Sequence, residues 1–278
     1  MPVINTNVSA LLAQQAQTKN AREMSAAMQQ LSTGSRINSA KDDAAGQAIG
    51  QTMTAQVRGL NQAIRNVNDG VNLAQTADGA LSETGNMLQR MRELAVQSAS
   101  GTYSNTQRGY LQTEFTALAS QIDKVASETT WNGMTVLTGT TGSTATGTFT
   151  FQSGQASGQS ISVSITSMTL TGLSMTAGAV GISSAASASS AIASIDTAIG
   201  LVNTQRAIIG ASINQMTYAA DNLTSISSNI QASRSTIMDT DYATASTQLS
   251  KAQIIQQAST AMLAQANQQP QSVLALLK

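Results

Sequence analysis

Cysteine and histidine are both missing from the 278 residues of this chain. Disulfides, thiolate nucleophiles, imidazole metal sites and histidine-based acid–base catalysis are excluded with them. Aromatic residues make up only 3% and charged residues only 10%, both low for a globular enzyme. The 14 basic and 14 acidic residues cancel, which weighs against nucleic acid or an anionic membrane surface as the main partner. No uninterrupted apolar run approaches the roughly 18 residues of a membrane span, so no membrane insertion is expected. The opening MPVINTNVSALLAQQ lacks the basic n-region, apolar core and cleavage site of a Sec leader. Proline occurs only at positions 2 and 270, and the proline-free stretch between them permits very long helices.

What is present is helical periodicity. Both ends are apolar-striped yet almost uncharged: apart from the terminal amine nothing ionisable lies between Met1 and Thr18, or between Ala252 and Leu277. A surface helix ordinarily carries Lys and Glu on its wet face, so such arms expect other helices around them. Stripes at spacings of three and four recur through Ala21, Met24, Met28 and Leu31, then through Leu60, Ile64, Val67, Val71 and Ala74. They continue through Leu81, Leu88, Met91 and Ala95, and through Leu111, Phe115, Leu118, Ile122 and Val125. The second half repeats the habit with Ile192, Ile195, Ile199 and Val202, then Ile209, Ile213 and Met216, then Leu223, Ile226, Ile230 and Ile237. Sustained spacing of this kind favours coiled-coil-like bundles. A helix from about residue 44 to 100 would be roughly 85 Å long at ~1.5 Å per residue, a rod rather than a compact domain.

Gly34 is placed to cap one helix at its C-terminus. Ser39 to Asp42 reads as a capping box, with Asp42 and Asp43 favourable at a helix start. Ser100-Gly101 and Ser104-Asn105 mark a further turn. From Thr129 to Ile195 there is no charge, and Gly, Ser and Thr dominate. There Phe149 and Phe151 alternate with Thr, and Ile161, Val163 and Ile165 with Ser, around a loop SGQASGQS, which predicts a β-hairpin. Asn132-Gly133 predicts a tight turn before it. A disordered linker is the competing reading of this low-complexity stretch.

No strong catalytic constellation exists: GxGxxG, P-loop and HExxH patterns are all absent. Asp42-Asp43 reads as a helix cap before it reads as a carboxylate pair, and Asp239 with Asp241 as a charged turn before it reads as a cation site. Arg90, Arg92 and Glu93 form a solvated helix face on residue chemistry alone. The 12 methionines sit mostly on the stripes as core filler. No catalytic residue, metal ligand or cofactor is assigned.

Several long blocks, in order, resemble the bacterial flagellins. NTNVSALLAQ at 5–14, LSTGSRINSAKDDAAGQAI at 31–49 and RNVNDGVNLAQTADGAL at 65–81 are similar to the flagellin N-terminal signature. LQRMRELAVQSAS at 88–100 and WNGMTVLTG at 131–139 continue it, with Trp131 where Phe is usual. IQASRSTIMDTDYATAS at 230–246 and QSVLALL at 271–277 resemble the C-terminal half.

The resemblance implies a mainly α fold: a long antiparallel helical rod or coiled coil built from both chain ends, with a small β-hairpin region in the middle. It implies inner-core arms at 1–43 and 236–278, a helical spoke from 44–137 and 188–235, and a central β-rich variable region at 138–187, without a large outer domain. Inner-core packing would fall to Val8, Leu11, Leu12, Leu31, Leu249, Ile255, Met262, Leu274, Leu276 and Leu277. It further implies a filament subunit of the extracellular flagellum that polymerises with itself and leaves through the flagellar type III apparatus. An export chaperone at the C-terminal arm and hook-associated junction and cap proteins would be its other bacterial partners. A host Toll-like receptor would read Gln89, Arg90, Glu93, Leu94, Gln97 and Glu114, which would also make lateral filament contacts, and inflammasome sensors would read the terminal leucines. The competing readings are a hook–filament junction protein, a secreted enzyme or glycan-binding adhesin using the central region, and a chemoreceptor-like coiled coil.

Overall fold

The computed structural model describes residues 6–140, 147–175 and 180–275, with side chains of the last helix up to Gln268. Its helices are α1 (Val8–Thr33), α2 (Ala44–Ala99), α3 (Asn105–Glu128), α4 (Ala185–Met238) and α5 (Tyr242–Ala275). Between α3 and α4 lie two antiparallel hairpins, β1 (Thr130–Trp131) with β2 (Met134–Thr135) and β3 (Thr148–Gln152) with β4 (Ser160–Ser164). The chain forms two compact units, one of Met1–Val57 with Ser228–Lys278 and one of Arg58–Ser227.

The first unit is organised by α1 and α5. Asn7 caps α1, its Oδ1 accepting the Ala10 N–H at 3.0 Å, and Gly34 ends it in the left-handed region at φ 70°, where a side chain would be strained. The turn after Gly34 is tied to the turn before α5. Arg36 N donates to Met238 O at 2.7 Å, Thr240 N donates to Gly34 O at 2.9 Å, and the Arg36 guanidinium donates to Ile237 O at 2.7 Å. The start of α2 differs from the expected capping box. Asp43 is the cap, its Oδ1 accepting the Gly46 N–H at 2.8 Å, while Asp42 closes the preceding turn on Ser39 and Asn38. Two adjacent aspartates offered two caps, and the one whose carboxylate reaches the third residue of the helix is used.

The second unit carries the larger core. Its buried face on α2 runs through Leu60, Ala63, Val67, Leu73, Ala77, Leu81, Leu88, Met91 and Leu94. On α3 it takes Phe115, Ile122 and Ala126, and on α4 Ala188, Ala191, Ile195, Ala198, Val202, Gln205, Ile209, Ser212 and Met216. The α4 set alternates steps of three and four, a heptad seam. It is shifted from the stripe of large residues in the sequence: Ile192, Ile199 and Ile213 sit half-buried beside it. Alanine and serine take their places because small side chains let helices approach closely. One 18-residue window of α4 is apolar enough to pass for a membrane span by composition, and part of that apolarity lines this seam.

The hairpins follow their alternation. Phe149 pairs with Val163 and Phe151 with Ile161, while Thr150 and Ser162 point the other way into solvent. Gln205 fastens this hairpin's end to α4: its Oε1 accepts from Thr166 N and Oγ1, and its Nε2 donates to Ser164 O at 2.8 Å. In the shorter hairpin Asn132 at φ 48° and Gly133 at φ 78° make the two-residue turn that matches strand twist.

Candidate functional site

In the second unit, two helix termini bring an ionic ridge together. Helix α2 runs through the RELAVQ block and stops at Ala99, and α3 starts six residues later, at Asn105, behind a complete capping box. Ser104 Oγ accepts the Gln107 N–H at 3.3 Å and Gln107 Oε1 accepts the Ser104 N–H at 2.9 Å. Arg108 secures the corner. Its guanidinium, only 8% exposed as a residue, donates to Ser98 O at 2.8 Å, Ser100 O at 3.0 Å and Asn105 Oδ1 at 3.1 Å. The positive charge thus sits on the carbonyl end of α2, where the helix dipole favours it.

The return of α3 places Glu114 beside Arg90. The Arg90 guanidinium donates to Glu93 Oε2 at 2.9 Å and to Glu114 Oε1 at 2.9 Å, about half of it remaining exposed. Those bonds, to Glu93 first and Glu114 second, raise the Arg90 pKa above its usual value and keep it charged at any pH of interest. Gln97 Nε2 donates to Tyr103 Oη at 2.9 Å, and Gln89 and Glu93 are exposed along the same helix. With Arg92, Val96 and Gln97 they line a shallow depression of about 510 Å³. Leu94 lies elsewhere. It is 1% exposed, inside the core with Leu88 and Met91, so it supports the ridge from behind.

Two further ion pairs join α2 to α4 in this unit: Arg92 with Asp196 at 2.6 Å and Arg206 with Asp78 at 2.8 Å. Sequence reading had no signal for either, because partners 104 and 128 residues apart share no local pattern. Among the described residues no group of three or more acidic side chains gathers that could hold a metal.

In the first unit α1 and α5 pair antiparallel. Asn7 Nδ2 donates to Ala266 O and Asn20 Nδ2 to Ala252 O, each at 2.8 Å, and Tyr242 Oη donates to Leu31 O at 3.3 Å. The half-buried and buried positions on α1 include Ala10, Ala13, Gln17, Asn20, Met24, Ala27 and Leu31, with Ala21 and Gln30 half-buried at the flank. On α5 they are Ala245, Leu249, Ala252, Gln256, Ser259, Leu263 and Ala266. Both sets alternate steps of three and four, so this is a coiled-coil seam filled mostly by small and polar residues. Asn20 Oδ1 and Gln256 Oε1 are buried without a hydrogen-bond partner. Of the sequence-assigned packing residues, Leu31 and Leu249 lie in the seam, whereas Val8, Leu11, Leu12, Ile255 and Met262 lie exposed outside it. Leu276, Leu277 and the Leu274 side chain fall outside the described residues.

Residues 4–142 match the bacterial flagellin N-terminal helical region, and residues 192–277 the bacterial flagellin C-terminal helical region. The chain belongs to the bacterial flagellins. This flagellin is 41% identical over 276 residues to a flagellin of Halalkalibacterium halodurans, covering 99% of this chain and 100% of that one. To flagellin A of Vibrio cholerae it is 47% identical over 163 residues, 59% of this chain and 42% of the longer Vibrio protein. The crystal structure of Bacillus cereus flagellin matches 61% of this flagellin and 94% of its own chain, with 33% identity and a TM-score of 0.50. Flagellins are the structural, non-enzymatic subunits of the extracellular flagellar filament, a homopolymer that serves motility, and so is this one.

Proposed function

We propose that residues 1–43 and 236–278 of this flagellin form the inner core of its filament. Residues 44–137 and 188–235 form the surrounding spoke, and 138–187 the variable outer part. The observation that carries this is the surface of the α1–α5 pair: Val8, Leu11, Leu12, Ile254 and Met262 are each more than half exposed, on stretches with no ionisable side chain from Val8 to Thr18 and from Ala252 to Leu277. Large aliphatic side chains in that setting lose stabilisation in water and regain it against apolar neighbours. Leu274, Leu276 and Leu277 extend this uncharged arm and serve as the point of contact for an export chaperone and, in a host, for inflammasome sensors. Export runs through the flagellar type III apparatus, and junction and cap proteins bound the growing filament. Heat-dissociated protein, cooled with filament seeds, is expected to give long filaments in electron micrographs; rings that stop growing would instead mark a junction protein.

The ridge around Arg90 supports a second role. The RELAVQ block and the Arg90–Glu114 pair present fixed charges on the exposed faces of α2 and α3, a pattern that fits recognition of the free monomer by the flagellin-sensing Toll-like receptor. Gln89, Glu93 and Gln97 share that surface, and Leu94 holds its helix in place. The same surface makes lateral contacts in the filament and is hidden there. Arg90→Ala and Glu114→Ala are expected to abolish receptor signalling by the monomer while leaving its melting temperature within a degree or two, since exposed ion pairs contribute about 0–1 kcal/mol. An unaltered response in both variants would refute this role.

A further inference from the structure

Asn132 is the one asparagine in the chain followed by glycine, and the pair stands at the tip of the β1–β2 hairpin. Asn132 and Gly133 are both exposed there, in the left-handed region at φ 48° and 78°. The ladder pairs Trp131 with Met134 and joins Val136 N to Thr129 O at 3.0 Å, which leaves the Gly133 N–H outside it. Glycine has no Cβ, and nothing lies within 4 Å of where one would be, so that nitrogen is open to approach. Every other described asparagine is placed differently. Asn7 precedes the β-branched Val8, and the N–H after Asn38 is held by Asp42 Oδ2 at 3.0 Å. The rest lie within helices, where φ and ψ are fixed, as they are at Asp69-Gly70 and Asp78-Gly79 inside α2.

We propose that Asn132 is a self-modifying site, which loses its side-chain amide through attack by the Gly133 nitrogen. That nitrogen gives its proton to solvent base and bonds to Asn132 Cγ. The Cγ–Nδ2 bond breaks, and Nδ2 takes up a proton and leaves as ammonia. A five-membered cyclic imide then spans residues 132 and 133. Water opens it by breaking the nitrogen's bond to Cγ, which gives aspartate, or to the main-chain carbonyl carbon, which gives isoaspartate. Nothing is oxidised or reduced; one water is consumed and one ammonia released. A ladder of two residue pairs is marginal on its own, so the turn opens often and lets Asn132 reach the attacking geometry. Either product adds one negative charge to a chain whose 14 basic and 14 acidic residues balance, in a stretch from Thr129 to Ile195 that has none. Isoaspartate also threads the main chain through an additional carbon, so the tight turn no longer fits between Trp131 and Met134. Just beyond lie buried Val136 and Leu137, and Leu137 O accepts from Met168 N at 2.9 Å, so the change reaches the core of the second unit.

The full-length monomer held in mildly alkaline buffer tests this, followed by peptide mass spectrometry and by methylation with an isoaspartyl methyltransferase. Amide-to-acid conversion with isoaspartate is expected at Asn132, at least about tenfold faster than at any helical asparagine. Conversion no faster than in the helices, or aspartate without isoaspartate, would overturn the route through the Gly133 nitrogen. Gly133→Ala separates turn opening from attack. Its hairpin opens, but a Cβ hinders the nitrogen, so conversion should fall at least about tenfold. An equal or higher rate in that variant would also overturn the proposal. Trp131, the chain's one tryptophan, reports the consequence. It is half-buried beside the turn, and its emission should shift to the red in step with isoaspartate. An unchanged spectrum in converted protein would overturn the coupling of the modification to the hairpin.

Discussion

Arg108 is a charged residue in the interior whose guanidinium is satisfied by neutral oxygens, two of them at the end of α2. Removing it strands the Ser98 and Ser100 carbonyls and loosens the α2–α3 corner that sets Glu114 beside Arg90. Arg108→Ala is expected to lower the stability of the second unit by about 2–3 kcal/mol, read from thermal or denaturant melting. Arg108→Lys should fall between, since an ammonium lacks the fork that reaches several acceptors at once. Sequence alone held no sign of this, because a cation in the first turn of a helix opposes that helix's own dipole and looks like an incidental surface residue. From the residues alone Arg90 and Glu93 read only as part of a solvated helix face, Glu114 entered only through the family resemblance, and the burial of Leu94 emerged only from the packing.

Two carboxylates make a pH prediction at the same scale. Asp42 is held below its ordinary pKa chiefly by the Ser39 hydroxyl, and Asp241 chiefly by the Thr244 hydroxyl and then by the Ala243 and Thr244 amides. A carboxylate whose pKa is depressed on folding contributes stability that is complete above its unfolded value of about 3.9 and is lost as pH falls through the folded value. The turn at 39–42 and the first turn of α5 should therefore be insensitive between pH 6 and 8 and loosen below about pH 4. Amide chemical shifts of Ser39 and Thr244 followed through an acid titration would report it; midpoints at or above the free-aspartate value would contradict it.

At the scale of elements, long helices and hairpins were legible because their signals are local: heptad spacing, glycine after a helix, alternation of Phe with Thr. What was misplaced is the seam itself. A stripe traced through the largest apolar side chains picks Ile64 and Val71 on α2, whereas the buried face takes Ala63, Leu73 and Ala77. Size governs how much a residue gains by burial, but closeness of approach governs which residue occupies the axis between two helices. The Asn132-Gly133 turn tests the local reading. Gly133→Ala places a side chain at φ 78° and should cost about 1–2 kcal/mol. The short β1–β2 hairpin should open while α2 and α4 stay intact, seen as lost amide protection at Met134 and Val136 with helicity unchanged.

At the scale of the molecule the two units differ in what holds them. The second buries Leu73, Leu81, Leu88, Met91, Phe115, Ile122 and Ile195 almost completely. The first joins α1 to α5 through alanines and polar residues, with only Asn20 and Ala27 of α1 buried and Asn20 Oδ1 left unpartnered. Ordering a backbone residue costs roughly 1–2 kcal/mol, and helical arms with so little buried apolar surface recover less of that than helices of the second unit. Free monomers should therefore open their arms often. Hydrogen exchange is expected to be fast in α1 and in α5, slow in the α2 segment from Leu60 to Ala95, and slow throughout once the protein has polymerised. Asn20→Leu removes the unpartnered acceptor and adds aliphatic contact, so it should slow arm exchange in the monomer while weakening the register that the Ala252 carbonyl now sets. Arms of the natural monomer protected as strongly as Leu60–Ala95 would show that the seam suffices alone, and that neighbouring copies are not what folds them.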